Sequence, residues 1–257
     1  MTDRDVSPHD PRRSLDLLWG RQEAGRRGPK ARFTADDVVA AAIAIADAEG
    51  LAALSMRRVA DALGVSPMSL YTYVPSKAEL MDLMFDRALG ATADPDETVV
   101  GWRARLAFIA RQRWALVELH PWFLDLALHR PPLGPNVLRK VDVMLGALGA
   151  TGLHEEEMAL VAEALQNYVT GAQQSARDAR DAEAQSGLTD AQWIDLLRPQ
   201  LEQHVDAEAY PALARRKAAG RPGRAVSQDE RTARFEFGLE RVLDGLEAYI
   251  DKRHAAT

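Results

Sequence analysis

Hydrophobic residues recur at helical spacing along most of the chain, and no stretch alternates with the two-residue period of a strand. Between residues 34 and 89 the pattern predicts four short helices. Later in the chain it predicts five longer helices, over Trp102–Leu119, Pro135–Leu148, Glu155–Gln185, Asp190–Val205 and Asp229–Arg253. Proline and glycine predict loops at Pro131–Gly134 and Gly220–Gln228. The sequence therefore predicts an all-α protein in two parts, with the seam near residues 90–95.

The short helices have clear start and stop signals. Thr34, Ser55, Ser66 and Ser76 each stand where an N-cap is expected. The turn from Gly64 to Ser66 is tight, and the helix after it lasts about two turns before Pro75 ends it. Two short helices joined in this way predict a helix-turn-helix, whose second helix enters the major groove of DNA.

The side chains of the second helix support this interpretation. Leu70 and Val74 are four residues apart and are expected to face the core. The positions left facing outward are Pro67, Met68, Ser69, Tyr71, Thr72 and Tyr73. Phenols and hydroxyls can bind phosphates or base edges, and Lys77 begins the next helix, where a phosphate is favoured.

Composition and charge narrow the classes of protein. The chain has 257 residues, a formal net charge of -6 and no cysteine, so disulfides and thiolate metal sites are excluded. We expect a cytoplasmic protein without a signal peptide or a membrane span. Residues 1–32 are interpreted as a flexible arm, and its basic cluster, Arg26, Arg27, Lys30 and Arg32, favours a polyanionic partner.

Residues 33–84 resemble the DNA-binding region of the tetracycline-repressor (TetR) family. The specific part of the likeness is the pattern L-G-V-S-x-x-x-L-Y-x-Y-V-x-S-K-x-E-L, which begins at Leu63. The resemblance implies that Arg57 contacts bases or phosphates, that Met68, Ser69 and Thr72 face bases, and that Thr34, Tyr71, Tyr73 and Lys77 hold phosphates. Arg26, Arg27 and Lys30 would reach the backbone or the minor groove, while Pro67 is more simply a helix starter. The DNA-binding domain is placed at residues 33–90.

Residues 95–257 resemble the C-terminal ligand-binding domain of the tetracycline-repressor branch, and an effector pocket is expected among its middle helices. The candidate lining residues are Ile109, Arg113, Trp122, Leu126, Val141, Met144, Ala162 and Gln166. Two positions that the tetracycline repressor uses around its metal pair roughly with Leu126 and Ser175 here. Neither is a good magnesium ligand, so the effector's identity stays open, and no metal or other cofactor is expected.

Two apolar stripes predict a dimer interface. The helix that begins at Glu155 presents Val161, Leu165 and Tyr168, and the last helix presents Leu239, Val242, Leu246 and Tyr249. Two such helices from each of two chains would form a four-helix interface, as a two-fold operator requires. The alternative is that both stripes pack within one chain.

No enzyme signature is present: the chain has no HExxH, GxSxG, P-loop or strand-linked GxGxxG motif. The sequence therefore predicts a homodimeric transcriptional regulator, a repressor that a small molecule releases from a palindromic operator. The alternatives are an activator, a regulator without a small-molecule effector, or an all-α enzyme.

Overall fold

The structure, a computed structural model, describes residues 10–20, 33–126, 131–204, 206, 208–218 and 228–255. Within these residues the chain is all-α, as predicted, with no strand. The helices are α1 (Pro11–Leu18), α2 (Ala35–Glu49), α3 (Met56–Leu63), α4 (Pro67–Leu70), α5 (Lys77–Gly90), α6 (Trp102–Leu119), α7 (Phe123–Leu126), α8 (Pro135–Leu148), α9 (Glu155–Ser186), α10 (Asp190–His204), α11 (Pro211–Ala218) and α12 (Gln228–Ala255). A single 3-10 turn follows α2, at Leu51–Ala53.

The longer helices lie where the sequence predicts them. Helices α6 and α8 have the predicted bounds, and α9, α10 and α12 differ from prediction only at their ends. Residues 131–134 are not helical, as expected, whereas the predicted loop at 220–228 falls almost wholly outside the described residues. None of the described helices combines the length and apolar character that a membrane crossing needs.

The expectation of a flexible arm over residues 1–32 does not hold at residues 10–20, which contain α1. The Asp10 side chain accepts a hydrogen bond from the backbone N–H of Arg12, and Pro11 opens the helix. Helix α1 packs against α5, and the indole N–H of Trp19 donates to the carbonyl of Leu133 at 3.0 Å. Residues 1–9 and 21–32 lie outside the described part of the chain.

Two further short helices, α7 and α11, were not predicted, and α4 is shorter than expected. Helix α4 ends at Leu70, and residues 71–73 continue as a turn in which the N–H groups of Tyr73 and Val74 both bond to the Leu70 carbonyl. Pro75 disfavours a helical conformation at Val74, so the second helical turn does not close.

Contacts divide the chain into two compact units, residues 1–167 with 245–257, and residues 168–244. The division leaves α2 to α8 in one unit, so it does not coincide with the expected seam at 90–95. The domain bounds 33–90 and 95–257 therefore stay a prediction.

Helix α5 is the central element of the first unit. It packs against α1, α2, α6, α7 and α8, and its buried apolar residues include Leu80, Met84 and Phe85. One apolar core joins residues of α2 to α5 with Leu116, Val117 and the Trp122–Leu124 corner. The helix-turn-helix and α6–α7 therefore share a continuous core.

In the second unit, α9 and α12 approach closely at Gly238. The Tyr168 ring stacks on Phe235 with centroids 6.0 Å apart, and its hydroxyl donates to the Phe235 carbonyl at 2.6 Å. A methyl group at Gly238 would lie 2.3 Å from the Tyr168 hydroxyl oxygen. Glycine is therefore required at this contact because any larger side chain would displace Tyr168.

We expect Gly238→Ala to lower the free energy of unfolding by about 1–3 kcal/mol because it overpacks this contact. Gly146→Ala is the matched control: Gly146 is also helical, and a methyl group there would meet nothing within 4 Å. The control is expected to gain about 0.5–1 kcal/mol from helix propensity. Urea unfolding of the two variants would measure both changes, and equal effects would contradict this account of Gly238.

Candidate nucleic-acid interface

The turn between α3 and α4 is built by local hydrogen bonds. Gly64 has a φ of 66° in the left-handed region, which closes α3, and the N–H of Val65 bonds back to the Ala60 carbonyl at 3.0 Å. Ser66 then caps α4, its hydroxyl accepting from the N–H of Ser69 at 3.3 Å. The helix-turn-helix geometry predicted at Gly64–Ser66 is confirmed.

The recognition segment, residues 67–73, is anchored on one side and open on the other. Leu70 and Val74 have no exposed surface, as predicted. Pro67, Met68 and Thr72 are exposed, with 74% of the Met68 surface accessible, whereas Ser69, Tyr71 and Tyr73 are half-buried. The described fold therefore presents all six predicted side chains at least partly to solvent.

The two hydroxyls expected to read bases already make local bonds. The Thr72 hydroxyl donates to the Ser69 carbonyl at 2.7 Å, and the Ser69 and Ser66 hydroxyl oxygens are 2.9 Å apart. Because a threonine hydroxyl has one hydrogen, Thr72 in this conformation offers an outside group its methyl and oxygen lone pairs. It can accept from a base amino group or contact a thymine methyl.

The two tyrosines are positioned by packing. The Tyr73 ring lies 4.5 Å from the Phe33 ring, and both tyrosines pack against the edge of the core. Phe33 was not among the predicted functional residues. It immediately precedes the Thr34 N-cap, and an apolar residue at that position is a known packing signal that could have identified it.

Lys77 occupies the first turn of α5, which Ser76 caps. The Ser76 hydroxyl accepts from the N–H groups of Ala78 and Glu79 at 3.1 and 3.5 Å. It also donates to the buried Glu79 carboxylate. Lys77 itself is half-buried at the start of this helix, where its cation and the positive end of the helix dipole can meet a phosphate.

The structure does not favour Thr34 as a phosphate contact. Its hydroxyl donates to the Asp37 carboxylate at 2.8 Å and accepts from the Asp37 N–H at 3.2 Å, a complete capping box. The backbone N–H and hydroxyl of Thr34 hold the pKa of Asp37 below its usual value. Since the only hydroxyl hydrogen is taken and a carboxylate stands beside it, we remove Thr34 from the proposed contacts.

The neighbouring arginines on α3 differ in their partners. Arg57 is exposed, whereas Arg58 forms an ion pair with Glu49 at the end of α2. Because its guanidinium is paired with Glu49, Arg58 is not included in the proposed DNA contacts. Arg26, Arg27 and Lys30 lie outside the described residues.

The predicted effector residues do not all lie in one place. Trp122 and Leu126 belong to the core shared with the helix-turn-helix, whereas Val141 and Gln166 are exposed, so these four candidates have different surroundings. The remaining four candidates are at least partly buried: Ile109, Arg113, Met144 and Ala162.

Arg113 is the buried charge of α6. Its guanidinium lies 4.5 Å from the centre of the Phe123 ring, and burial lowers the pKa of Arg113 to about 10. The group therefore stays protonated at neutral pH. A cation in this position can bind a carbonyl or an acidic group.

The first unit contains a cavity of about 310 Å³ whose lining does not include Ile109 or Arg113. It is lined by Leu51, Ala78, Met81, Asp82, Phe85, Asp125, Leu126 and Pro132. Leu126 alone belongs to the predicted effector set. In the described residues no group of three or more acidic or histidine side chains is placed to hold a metal ion.

Several residues of the predicted dimer stripes also make contacts within the chain. Val161, Leu165 and Leu239 are buried in the single chain. Tyr168 bonds to Phe235, and the Tyr249 hydroxyl donates to Glu157 at 2.7 Å. Val242 and Leu246 are half-buried and Tyr249 is exposed, so the stripes take part in intrachain packing, and the residues of the dimer interface stay a prediction.

Two family models match the chain. Residues 38–84 match "Bacterial regulatory proteins, tetR family", and residues 94–250 match "Tetracyclin repressor-like, C-terminal domain". The first match contains the described helix-turn-helix, and the second covers more than half of the chain.

Comparison with individual proteins and solved structures supports the same family. The transcriptional repressor DrrR1 of Streptomyces coeruleorubidus is 41% identical over 248 residues, covering 95% of this chain and 88% of that protein. The structure of ActR from Streptomyces coelicolor in complex with actinorhodin has a TM-score of 0.70 and 31% identity, over 85% of this chain and 97% of that one. BioQ with its double-stranded DNA operator has a TM-score of 0.52 and 28% identity, over 61% of this chain and 93% of that one. Together with the helix-turn-helix described above, these matches show that the chain belongs to the TetR family of bacterial regulatory proteins and is a DNA-binding transcriptional regulator.

Proposed function

We propose that this chain is a homodimeric, cytoplasmic repressor that binds a palindromic operator and is released from it by a small molecule. The observation that carries the proposal is the recognition segment 67–73, held on a core that continues into α6 and α7. A change in the regulatory half, residues 95–257, can reach the DNA-binding helices through that core. DrrR1 is named a transcriptional repressor, which supports repression of transcription over activation.

On DNA, we assign specificity to Arg57, Ser69 and Thr72, with Met68 in apolar contact. Arg57 is exposed on α3 and carries the planar group that binds guanine best. Tyr71, Tyr73 and Lys77 would fix the segment on phosphates, and Arg26, Arg27 and Lys30 would add contacts to the backbone or the minor groove. Pro67 is assigned to starting α4.

The effector is proposed to bind beside α6, at Ile109 and Arg113, with Met144 and Ala162. Ile109 and Arg113 are four residues apart and share one side of the helix. A buried guanidinium favours an effector that carries a carbonyl or acidic group on an apolar body. ActR has been crystallised with (S)-DNPA and with actinorhodin, which makes actinorhodin a rational first probe.

The dimer is proposed to form through exposed positions of α9 and α12 instead of the buried stripes. Leu160 on α9 and Phe237 on α12 are 65% and 66% exposed. Gly171 and Gly245 on the same helices have open space where a side chain would stand. Exposed apolar and small residues on long helices suit close contact with the same helices of a second chain.

The function is tested by footprinting the DNA that flanks the chain's own gene. The footprinted site is then used in binding assays without and with actinorhodin, and without and with an extract of the producing cells. A two-fold site and its release by either addition are expected. Operator binding that neither actinorhodin nor the extract changes would favour a regulator without a small-molecule effector. Transcription that rises when the protein binds would favour an activator. A protein that shows no salt-dependent binding to duplex DNA would contradict the proposal.

We expect Arg57→Ala and Tyr71→Ala to weaken operator binding. Loss of a base-reading arginine costs about 1–3 kcal/mol and relaxes specificity at one position, whereas loss of a phosphate contact weakens all sequences alike. Fluorescence anisotropy over a range of salt concentrations separates the two effects.

The matched control is Arg58→Ala, which removes the adjacent arginine that pairs with Glu49. It is expected to leave operator affinity within a factor of about two because exposed ion pairs contribute little. Wild-type affinity in both Arg57→Ala and Tyr71→Ala would refute the proposed contacts.

We expect Leu160→Asp and Phe237→Asp to raise the dimer dissociation constant by about tenfold or more, because each buries a charge in an apolar interface. Leu119→Asp, at a residue of α6 that is 69% exposed, is the control and should leave the dimer intact. Sedimentation equilibrium measures all three, and a dimer that tolerates both first variants would place the interface elsewhere.

A further inference from the structure

We propose that Asp47 and Asp86 are positioning residues for DNA recognition, two polar attachments that together fix the angle at which the regulatory half holds the helix-turn-helix. The proposal rests on the proposed function, because the angle matters only if two recognition segments must match two half-sites.

Asp47 attaches α2 to the corner between α6 and α7. Its Oδ1 atom accepts from the indole N–H of Trp122 at 2.6 Å and lies 2.6 Å from Nδ1 of His120. The Trp122 side chain is buried and His120 is half-buried, so the corner holds these donors in a fixed direction.

The position of Asp47 is unfavourable for α2 by itself. The helix ends with Asp47 and Glu49 and has no basic residue in its last turn, although negative charge there opposes the helix dipole. Glu49 is balanced by Arg58, within the helix-turn-helix region. The described partners of Asp47 both come from the regulatory half, which gives this carboxylate a role between the two parts.

Asp86 attaches α5 to the start of α8. It is buried, and its carboxylate accepts from the N–H groups of Asn136 and Val137 at 3.1 and 2.9 Å and from the Asn136 amide at 2.8 Å. Helix α8 has Gly134 as its N-cap residue and no capping side chain of its own, so Asp86 supplies the cap from another helix. A methyl group at Gly134 would lie 2.2 Å from the Asp86 oxygen.

Helix α8 in turn caps the end of α5. The Arg139 guanidinium donates to the Gly90 carbonyl at 3.2 Å, and the Lys140 ammonium donates to the Thr92 carbonyl at 2.6 Å. Each helix therefore satisfies the free backbone groups of the other, and α5 and α8 are expected to move together.

Two separate hydrogen-bonded contacts restrict the angle between the helix-turn-helix and the regulatory half, whereas a single contact would let one part rotate about it. Helices α2 and α5 lie on either side of the recognition segment in the sequence. Phe85, next to Asp86 in the chain, stacks on Phe123, next to Trp122, with ring centroids 4.4 Å apart, and such apolar contact tolerates sliding better than directional hydrogen bonds do. An effector that displaced the α6–α7 corner would move Asp47 relative to Asp86 and turn the recognition segment.

The test measures orientation inside the full-length protein. The chain has no cysteine, so Ala62→Cys on α3 and Ala150→Cys after α8, both at exposed positions, carry spin labels at two defined places. Labelled chain diluted with unlabelled chain reports the distance between the labels within one protomer by pulsed electron resonance. In the labelled protein that keeps Asp47 and Asp86, the distribution of label-to-label distances is expected to be narrow.

Asp47→Ala and Asp86→Ala are expected to broaden or shift that distribution. Asn at either position keeps an acceptor oxygen and should restore most of the narrow distribution. Glu49→Ala is the control: it removes a carboxylate from the same turn of α2, but its partner Arg58 is local, so the distribution should not change.

A second readout is the tolerance for half-site spacing. On the footprinted operator, the wild-type protein should prefer the natural spacing over insertion of one base pair, and the two Ala variants should lose about five- to tenfold of that preference. Loss of stability alone would not change a preference between two DNA molecules.

The proposal is wrong if both Ala variants keep the narrow distribution and the wild-type spacing preference, even when they unfold at lower temperature. If an Ala variant does not fold, Trp122→Phe removes one donor to Asp47 and keeps an aromatic ring in the core, and an unchanged distribution there also refutes it. If the wild-type protein binds no operator, the proposed function fails, while the spin-label distances still test the attachments independently.

Discussion

Burial of α5 is the constraint on which the rest of the first unit depends. The helix packs against five other helices and buries Glu79, Asp82 and Asp86 together with its apolar side chains. Buried carboxylates are costly unless they are hydrogen-bonded, so they call for nearby donors. Asp86 accepts hydrogen bonds from the start of α8, and one oxygen of Glu79 accepts from Ser76, the N-cap of α5. The positions of α8 and of the turn before α5 follow from these requirements.

The same constraint explains how a recognition helix of only four residues can work. A helix this short is not stable alone, since its nucleation cost exceeds what one turn returns. Leu70 and Val74 attach it to the core, and Ser76 begins α5 directly after it. The exposed Met68 can then vary with the DNA sequence to be read, whereas the outward serine, threonine and tyrosine side chains also make local hydrogen bonds or contacts with the core edge.

The sequence predicts most of the described helices from their punctuation and misses three short ones, α1, α7 and α11. Glycine and proline mark the starts of α6 and α8, and both helices have the predicted bounds. Helix α1 is only eight residues long and packs against α5, and α7 is a single turn, so the apolar pattern of each is too short to identify a helix by itself. Likewise, Asp47 with Trp122, and Asp86 with Asn136, are pairs far apart in the chain that no local pattern connects.

The dimer stripes show a related limit of sequence patterns. A helical period identifies which face of α9 or α12 is buried, but the partner can be the same chain or another one. Tyr168, one residue of the α9 stripe, approaches Gly238 of the same chain, a contact that the helical period alone could not predict. The DNA side is more predictable because its motif is local: Gly64, Ser66, Leu70 and Val74 together determine which residues of the recognition segment face outward.

Energies indicate why the two parts should be coupled by polar contacts as well as by a shared core. Opening the contact between Phe85 and Phe123 would cost several kcal/mol, since removal of a buried aromatic side chain costs about 3–5 kcal/mol. A hydrogen bond to a charged group contributes about 1.5–3 kcal/mol. The coupling between a ligand and a distant site is of that smaller size, about 1–3 kcal/mol. Under the proposed mechanism, a small effector would exchange one set of hydrogen bonds at the α6–α7 corner while the core stays closed, and the affinity for DNA would change without unfolding.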